Sequence, residues 1–290
     1  MFQPSGNASD INKKQNDEKG LHLNACFGIA YQSSKNIGYL NLFLAVIIPV
    51  LLSVSIEWFE LMGWSLIPDV LSILLVPIVI ALSRWEGNAQ WYAADIHQLF
   101  ECYIFDMPWE IRYFGEDQKL RERLAHRAKR KLKNAKYHKK RSNWYEEDRA
   151  EFISSSAAQA IFNCQKTNIL WETNLRKRYG TYCIALVVLI VLTVVLIYGI
   201  TMSNMKQMVN NLVLCLPIIV LVLEKYFRLR DDLDRVKMMD IIVKDADPED
   251  GVSLLLLQRA LLDHRRCNAQ IPYFFYKAIQ KFRFWQKDMA

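Results

Sequence analysis

The chain has 290 residues and a formal net charge of +7, and is 52% hydrophobic and 23% charged. The mean hydropathy of +0.02 suits a globular protein, but it hides a segregation: Asn36–Ile56 and Tyr179–Met205 are runs without a single charge. That excludes an ordinary soluble enzyme, and also a pure membrane bundle, because about half of the chain is densely charged.

In chain order, residues 1–20 are polar and lack the early apolar core of a signal peptide, so they read as a flexible tail. Residues 21–83 read as a helix leading into a first transmembrane hairpin, with spans at about 37–56 and 64–83. At about 1.5 Å per residue, 20 residues cover about 30 Å, the thickness of a bilayer core. Asp69 falls in the first turns of the second span, within reach of the interface. Trp91, Ile96, Leu99, Phe100, Tyr103 and Ile104 keep near-helical spacing, which predicts a helix running on to about Phe105. Asp106-Met107-Pro108-Trp109 then breaks it, because the residue before a proline disfavours the helical region.

Residues 84–178 form an insert between two hairpins. It lacks the alternating pattern of strands and has one proline, so it is expected to be helical. Lys119–Arg141 holds 12 basic residues and one acid, Glu122. Three readings stay open for this stretch: a solvated helix against anionic headgroups, a site for a phosphate-bearing ligand, or non-specific nucleic-acid binding. From about Arg149 a helical stretch leads into the third span. Along it Cys164, Asn168, Trp171 and Leu175 share one face, and Gln165, Glu172 and Arg176 the adjacent one. Residues 179–226 form the second hairpin, with spans at about 181–198 and 209–226.

Residues 227–290 are expected to be further helices. Tyr226, Leu229, Leu233 and Val236 follow a short heptad seam, a candidate oligomer contact. Val252–Leu262 is strongly helical, and 272–285 is a basic-aromatic amphipathic helix. The fold class expected is thus an all-α membrane protein with four spans in two hairpins, a helical insert and a helical C-terminal region. Of 37 lysines and arginines, only Lys206 lies between the two spans of a hairpin. The positive-inside rule therefore places both termini and the insert in the cytoplasm.

No GxSxG, Walker, GxGxxG or HExxH motif occurs, so no catalytic residue is nominated. The six cysteines are dispersed and read as reduced, and the five histidines are dispersed too; no metal site or cofactor is expected. His264, followed by Arg265 and Arg266, reads as helix surface. The polar span positions Asn41, Ser53, Ser55, Asp69, Ser72, Thr193 and Thr201 are candidates for a pore lining. Four spans are too few to enclose a wide channel, so a pore would need several copies.

Ile96-His97-Gln98-Leu99-Phe100, Asp106-Met107-Pro108-Trp109, Trp144-Tyr145, Cys164-Gln165-Lys166-Thr167-Asn168 with Trp171, and Leu175-Arg176-Lys177-Arg178-Tyr179 occur in order between the two pairs of spans. In this the chain resembles the SMODS-associated four-transmembrane effector family, over roughly residues 22–240. The resemblance implies a pore-forming effector encoded beside cyclic-oligonucleotide synthases in bacterial anti-phage systems of the CBASS type. The insert would sense a cyclic oligonucleotide, and the spans would breach the inner membrane in abortive infection. The resemblance together with the basic, amide-rich face points to a ligand surface of Gln165, Asn168, Trp171 and Arg176, with Trp109, Arg112 and Trp144, the alternative being an interhelical polar network: arginine grips phosphate, tryptophan stacks on a base and amides read base edges. The partners expected are the lipid bilayer, a cyclic oligonucleotide and further copies of the chain, with no DNA or RNA. The competing classes are a nonlytic membrane-anchored scaffold or channel regulator that binds a protein partner, and a membrane enzyme. Expression toxicity separates the scaffold from the effector, and product analysis separates the enzyme.

Overall fold

The computed structural model describes residues 2, 8–64, 66–145, 156–201 and 205–271. The side chains of Arg112, Asn168, Trp171 and Thr201 fall outside that description, as do the expected 272–285 helix and the start of the stretch from Arg149.

Every regular element among the described residues is a helix: α1 (Ala8–Asn16), α2 (Glu18–Val54), α3 (Ile56–Leu61), α4 (Ile67–Ile104), α5 (Ile111–Phe114), α6 (Asp117–Leu132), α7 (Ala135–Arg141), α8 (Ala157–Thr201), α9 (Met205–Asp245) and α10 (Gly251–Cys267). The helices α2, α4, α8 and α9 have 37, 38, 45 and 41 residues. At about 1.5 Å per residue each is roughly 55–70 Å long, about twice a bilayer core. Among the described residues two stretches are long and apolar enough to cross a membrane, Glu18–Ser53 and Ile67–Ile104.

The chain divides into two units. Unit 1 holds residues 1–34, 87–174 and 232–268; unit 2 holds 35–86, 175–231 and 269–290. Each boundary before residue 268 falls inside a long helix, so α2, α4, α8 and α9 each contribute to both units.

Unit 1 has an ordinary apolar core. Phe27, Ile96, Phe100, Ile161, Leu254 and Leu257, from α2, α4, α8 and α10, are fully buried, as is Phe105 just after α4. Fully burying one such side chain contributes roughly 1.5–3 kcal/mol. The expected break after α4 is present: α4 ends at Ile104, and Asp106 has a left-handed φ of 55°. α10 starts where Asp250 accepts hydrogen bonds from Val252 N and Ser253 N at 3.1 and 3.0 Å, an N-cap that satisfies donors the helix leaves open. The basic stretch is not one helix: α6 stops at Leu132, and the Asn134 side chain caps α7 by accepting from Tyr137 N at 3.1 Å.

Two expectations about unit 1 need correction. The presumed tail contains α1, whose Ile11 and Gln15 are buried because Gln15 exchanges two hydrogen bonds with the Tyr145 backbone, at 2.9 and 3.1 Å. His264, expected on a helix surface, is buried with Nδ1 2.8 Å from Asp232 Oδ1.

Unit 2 differs in its exterior, which is largely apolar. Phe43, Ile47, Val50 and Leu51 of α2, Val70, Ile73 and Leu74 of α4, and Ile184, Val188, Leu189 and Leu192 of α8 are exposed. Asn41, Ser72, Ser83 and Glu86 are buried. An apolar exterior, with these polar groups buried beside apolar ones such as Ala45, Val79 and Leu221, suits helices whose surroundings are lipid. The seam proposed as an oligomer contact is largely used up within the chain. Leu229 is buried in unit 2, where a methyl group lies about 3.0 Å from where a Cβ on Gly180 would stand. Val236 is buried in the core of unit 1. Tyr226 and Leu233 are half-buried.

Candidate functional site

The basic stretch ends on Arg141, the last residue of α7. Its guanidinium lies over three rings, with centroids at 5.2 Å for Tyr137, 5.7 Å for Phe27 and 5.9 Å for Trp144. Nη1 donates to Asn24 Oδ1 at 3.2 Å, and Asn24 Nδ2 donates back to the Arg141 carbonyl at 3.1 Å. The guanidinium packs where Gly28 has no side chain; a Cβ there would overlap it. The chain then turns at Asn143, whose φ of 50° asparagine tolerates better than most residues, and Asn143 pairs with Asn16 in both directions at 2.7 and 3.0 Å. This turn delivers Trp144, 38% exposed, against Phe27 at 5.2 Å edge to face.

Lys131 joins the cluster, with Nζ 5.3 Å from the Tyr137 centroid. Its partial desolvation and the nearby charges of Arg127 and Arg141 lower its pKa. Among the described residues no carboxylate pairs with Arg127, Lys131 or Arg141. Three like charges held together repel one another, and an anion placed among them relieves the repulsion.

Beneath the aromatic cage lies a buried polar core. Phe27 stacks on His97 at 4.2 Å, and His97 Nε2 is 3.5 Å from Glu101 Oε1. Arg265 grips both oxygens of Glu101, with Nη2 at 2.8 Å from Oε1. Tyr145 Oη donates to Oε1 and Gln258 Nε2 to Oε2, both at 2.5 Å. Gln258 also donates to Gln98 and accepts from Gln165, at 2.6 and 2.7 Å. Burial would raise the Glu101 carboxyl, but the charges of Arg265 and His97 and the hydrogen bonds from Arg265 and Tyr145 outweigh it and hold it well below the usual carboxylate range. Burial, with the Glu101 charge added, raises the thiols of Cys102 and Cys164 and the Tyr145 phenol. Glu101 therefore stays an acceptor saturated by donors, and the thiols stay protonated. Among the described residues no three His, Cys, Asp or Glu side chains gather to hold a metal.

Four of the residues singled out in the sequence for the ligand surface have described side chains. Trp144 lies in the cage and Gln165 in the polar core below it. Trp109 lies elsewhere in unit 1, stacked on Phe114 at 4.5 Å, with Nε1 donating to the Gly115 carbonyl at 3.0 Å. Arg176 belongs to unit 2 and is buried. Of the span positions, Asn41 and Ser72 are buried, Ser55 and Asp69 half-buried, and Ser53 and Thr193 exposed. Arg141, Lys131, Glu101 and Arg265 were not singled out. His97, Glu101 and Arg265 carried a legible signal, a few polar groups inside otherwise apolar helical faces.

A family model described as SMODS-associating 4TM effector domain matches residues 9–283. No curated protein and no solved structure matches the chain.

Proposed function

The chain belongs to the SMODS-associating 4TM effector domain family, and from that premise we propose that it is a bacterial inner-membrane effector that senses a cyclic oligonucleotide and disrupts the membrane. On this reading α2, α4, α8 and α9 supply four spans in two hairpins, with both termini and unit 1 in the cytoplasm. The bias of lysine and arginine away from the hairpin loops supports that orientation, and the exposed apolar faces in unit 2 support the spans.

One observation carries the sensing role: Arg127, Lys131 and Arg141 form a cationic cluster without a carboxylate partner among the described residues, beside the half-open face of Trp144. Phosphates fit the cations and a base fits the indole. A hydrogen bond to a charged group contributes roughly 1.5–3 kcal/mol, and stacking of one base roughly 1–3 kcal/mol. The effector acts by binding and rearrangement of several copies, in keeping with a Glu101 that is saturated and thiols that are held protonated.

The test is dye release from liposomes carrying the full chain, with a panel of cyclic di- and trinucleotides. At least one should trigger release, and Arg141→Ala and Trp144→Ala should each raise the concentration required about tenfold or more. Silence across the panel, or unchanged responses in both variants, would reject the sensing site.

A further inference from the structure

A cavity of about 320 Å³ lies within unit 2, and all four long helices wall it. On α2 the lining face is Lys35, Gly38 and Leu42, at i, i+3 and i+7. On α8 it is Tyr179, Cys183 and Leu186, and on α9 Leu221 and Lys225. α4 contributes Glu86.

The two ends of the cavity are unlike. At one, Lys225 places Nζ 2.5 and 2.6 Å from the two oxygens of Glu86. A Cβ on Gly38 would stand 3.1 Å from the Glu86 carboxyl carbon, so the bare glycine lets α2 come up to this pair, with Lys35 one turn away on the same face. At the other end Leu42 packs against a buried cluster of Ala45, Val79 and Leu221. Lys35 and Leu42 are separated by about 10 Å of helix rise. The polarity follows the sequence. Lys35 immediately precedes the charge-free run Asn36–Ile56, and Leu42 lies inside it. On α9 Leu221 lies inside the charge-free stretch that ends at Leu223, and Lys225 lies just beyond it. Both helices therefore lead from the edge of the apolar zone into it. Tyr39, Tyr182 and Leu186 also line the cavity and are exposed, so it opens on the apolar exterior of unit 2.

We propose that this cavity seats an anionic glycerophospholipid, with its phosphodiester at Lys35 and Lys225 and one acyl chain between Leu42, Leu186 and Leu221. The charge fits: Lys35 and Lys225 against Glu86 leave one positive charge in the lining, which one phosphodiester balances. The donors fit as well. An ammonium has three, and Glu86 takes two from Lys225, which leaves one for a phosphate oxygen. The apolar end is open to the one apolar medium around the spans, the lipid chains. Basic pockets between membrane helices on the cytoplasmic side are a recurrent way of holding anionic headgroups. The inference rests on the reading that unit 2 spans the membrane, and adds a ligand which that reading does not name. Because all four long helices wall the cavity, an occupant ties them together.

The experiment is native mass spectrometry of the detergent-solubilised full chain, with phosphatidylglycerol and phosphatidylcholine of matched chains added in equal amounts and no nucleotide. Wild type should retain phosphatidylglycerol in preference, by roughly fivefold or more. Lys35→Gln should cut that preference roughly fivefold, the contribution of one basic group near a headgroup. Leu42→Trp, which fills the apolar end, should lower retention of both lipids, and Leu42→Phe carries the same expectation if the tryptophan variant does not insert. Glycerol phosphate, a headgroup without chains, should not displace the bound lipid. Equal retention of the two lipids, an unchanged preference in Lys35→Gln, unchanged retention in the Leu42 variant, or displacement by glycerol phosphate overturns the proposal. The reading it rests on fails separately. A chain stripped from membranes by alkaline carbonate does not span them, whereas a chain that resists stripping and retains no phosphatidylglycerol overturns the lipid site alone.

Discussion

Two buried carboxylates, Glu101 in unit 1 and Glu86 in unit 2, are neutralised in opposite ways. In unit 1, Glu101 is gripped by the planar fork of Arg265 and takes further hydrogen bonds from Tyr145 and Gln258. In unit 2, Glu86 meets the ammonium of Lys225 beside a cavity. A guanidinium matches a carboxylate along two parallel bonds and is pre-organised to do so; an ammonium is a mobile point charge. The first arrangement pins α4 to α10 and fixes a core. The second holds the carboxylate with one ammonium on a flexible stem. Unit 1 thus holds its carboxylate in a saturated network, and unit 2 holds its own with a single flexible counter-charge.

The largest expected effect breaks the first arrangement. Arg265→Met leaves Glu101 buried without its main counter-charge, and removing one partner of such a pair costs about 3–5 kcal/mol. Thermal unfolding of the detergent-solubilised chain should show a matching fall in stability, with loss of hydrogen-exchange protection in α4 and α10. A fall below about 1 kcal/mol would mean that the amides and Tyr145 hold the core without the ion pair.

Acid should act on the same carboxylate more gently. The Glu101 pKa is about 2 in the folded chain, against an ordinary value of 4.5. A depressed folded pKa means stability that is present above pH 4.5 and lost as pH falls from there towards 2. By pH 3 the loss should be on the order of 2 kcal/mol, at 1.36 kcal/mol per pH unit. Comparing wild type with Glu101→Gln between pH 6 and pH 3 isolates the contribution. The variant should start less stable and show a shallower acid limb, and parallel limbs would assign the acid loss to other groups.

Long apolar runs and helical spacing made the all-helical fold, the continuation of α4 to Ile104 and the break at Asp106 legible, because they depend on local pattern. The sites depend on which faces meet. Glu101 and Arg265 are 164 residues apart, and neither residue signals the other in the sequence. Glu86 and Lys225 sit at the edges of apolar runs, where interfacial charges are ordinary, so their pairing shows only once α4 and α9 are side by side. Gln165 and Arg176 share a helix face by spacing, yet they fall in different units. α1 was missed because its composition is polar and its order comes from Gln15 bonding to a loop 130 residues away.

The smallest effect tests the other side of the comparison. Asn41 is fully buried in unit 2, and Asn41→Ala removes hydrogen bonds to Val79 O and Ser83 Oγ. Three considerations limit the cost. Hydrogen bonds between membrane helices contribute about 0.6 kcal/mol on average. The Oδ1 that leaves had no partner among the described residues, so its removal takes away a penalty as well as a contact. Alanine also has the highest helix propensity, several tenths of a kcal/mol better than asparagine. The net loss should be below about 1 kcal/mol, read from the thermal transition of the solubilised chain and set beside Arg265→Met. A cost of 3 kcal/mol or more would show that unit 2 depends on its polar interior as rigidly as unit 1 does. The contrast between the two units would then fail.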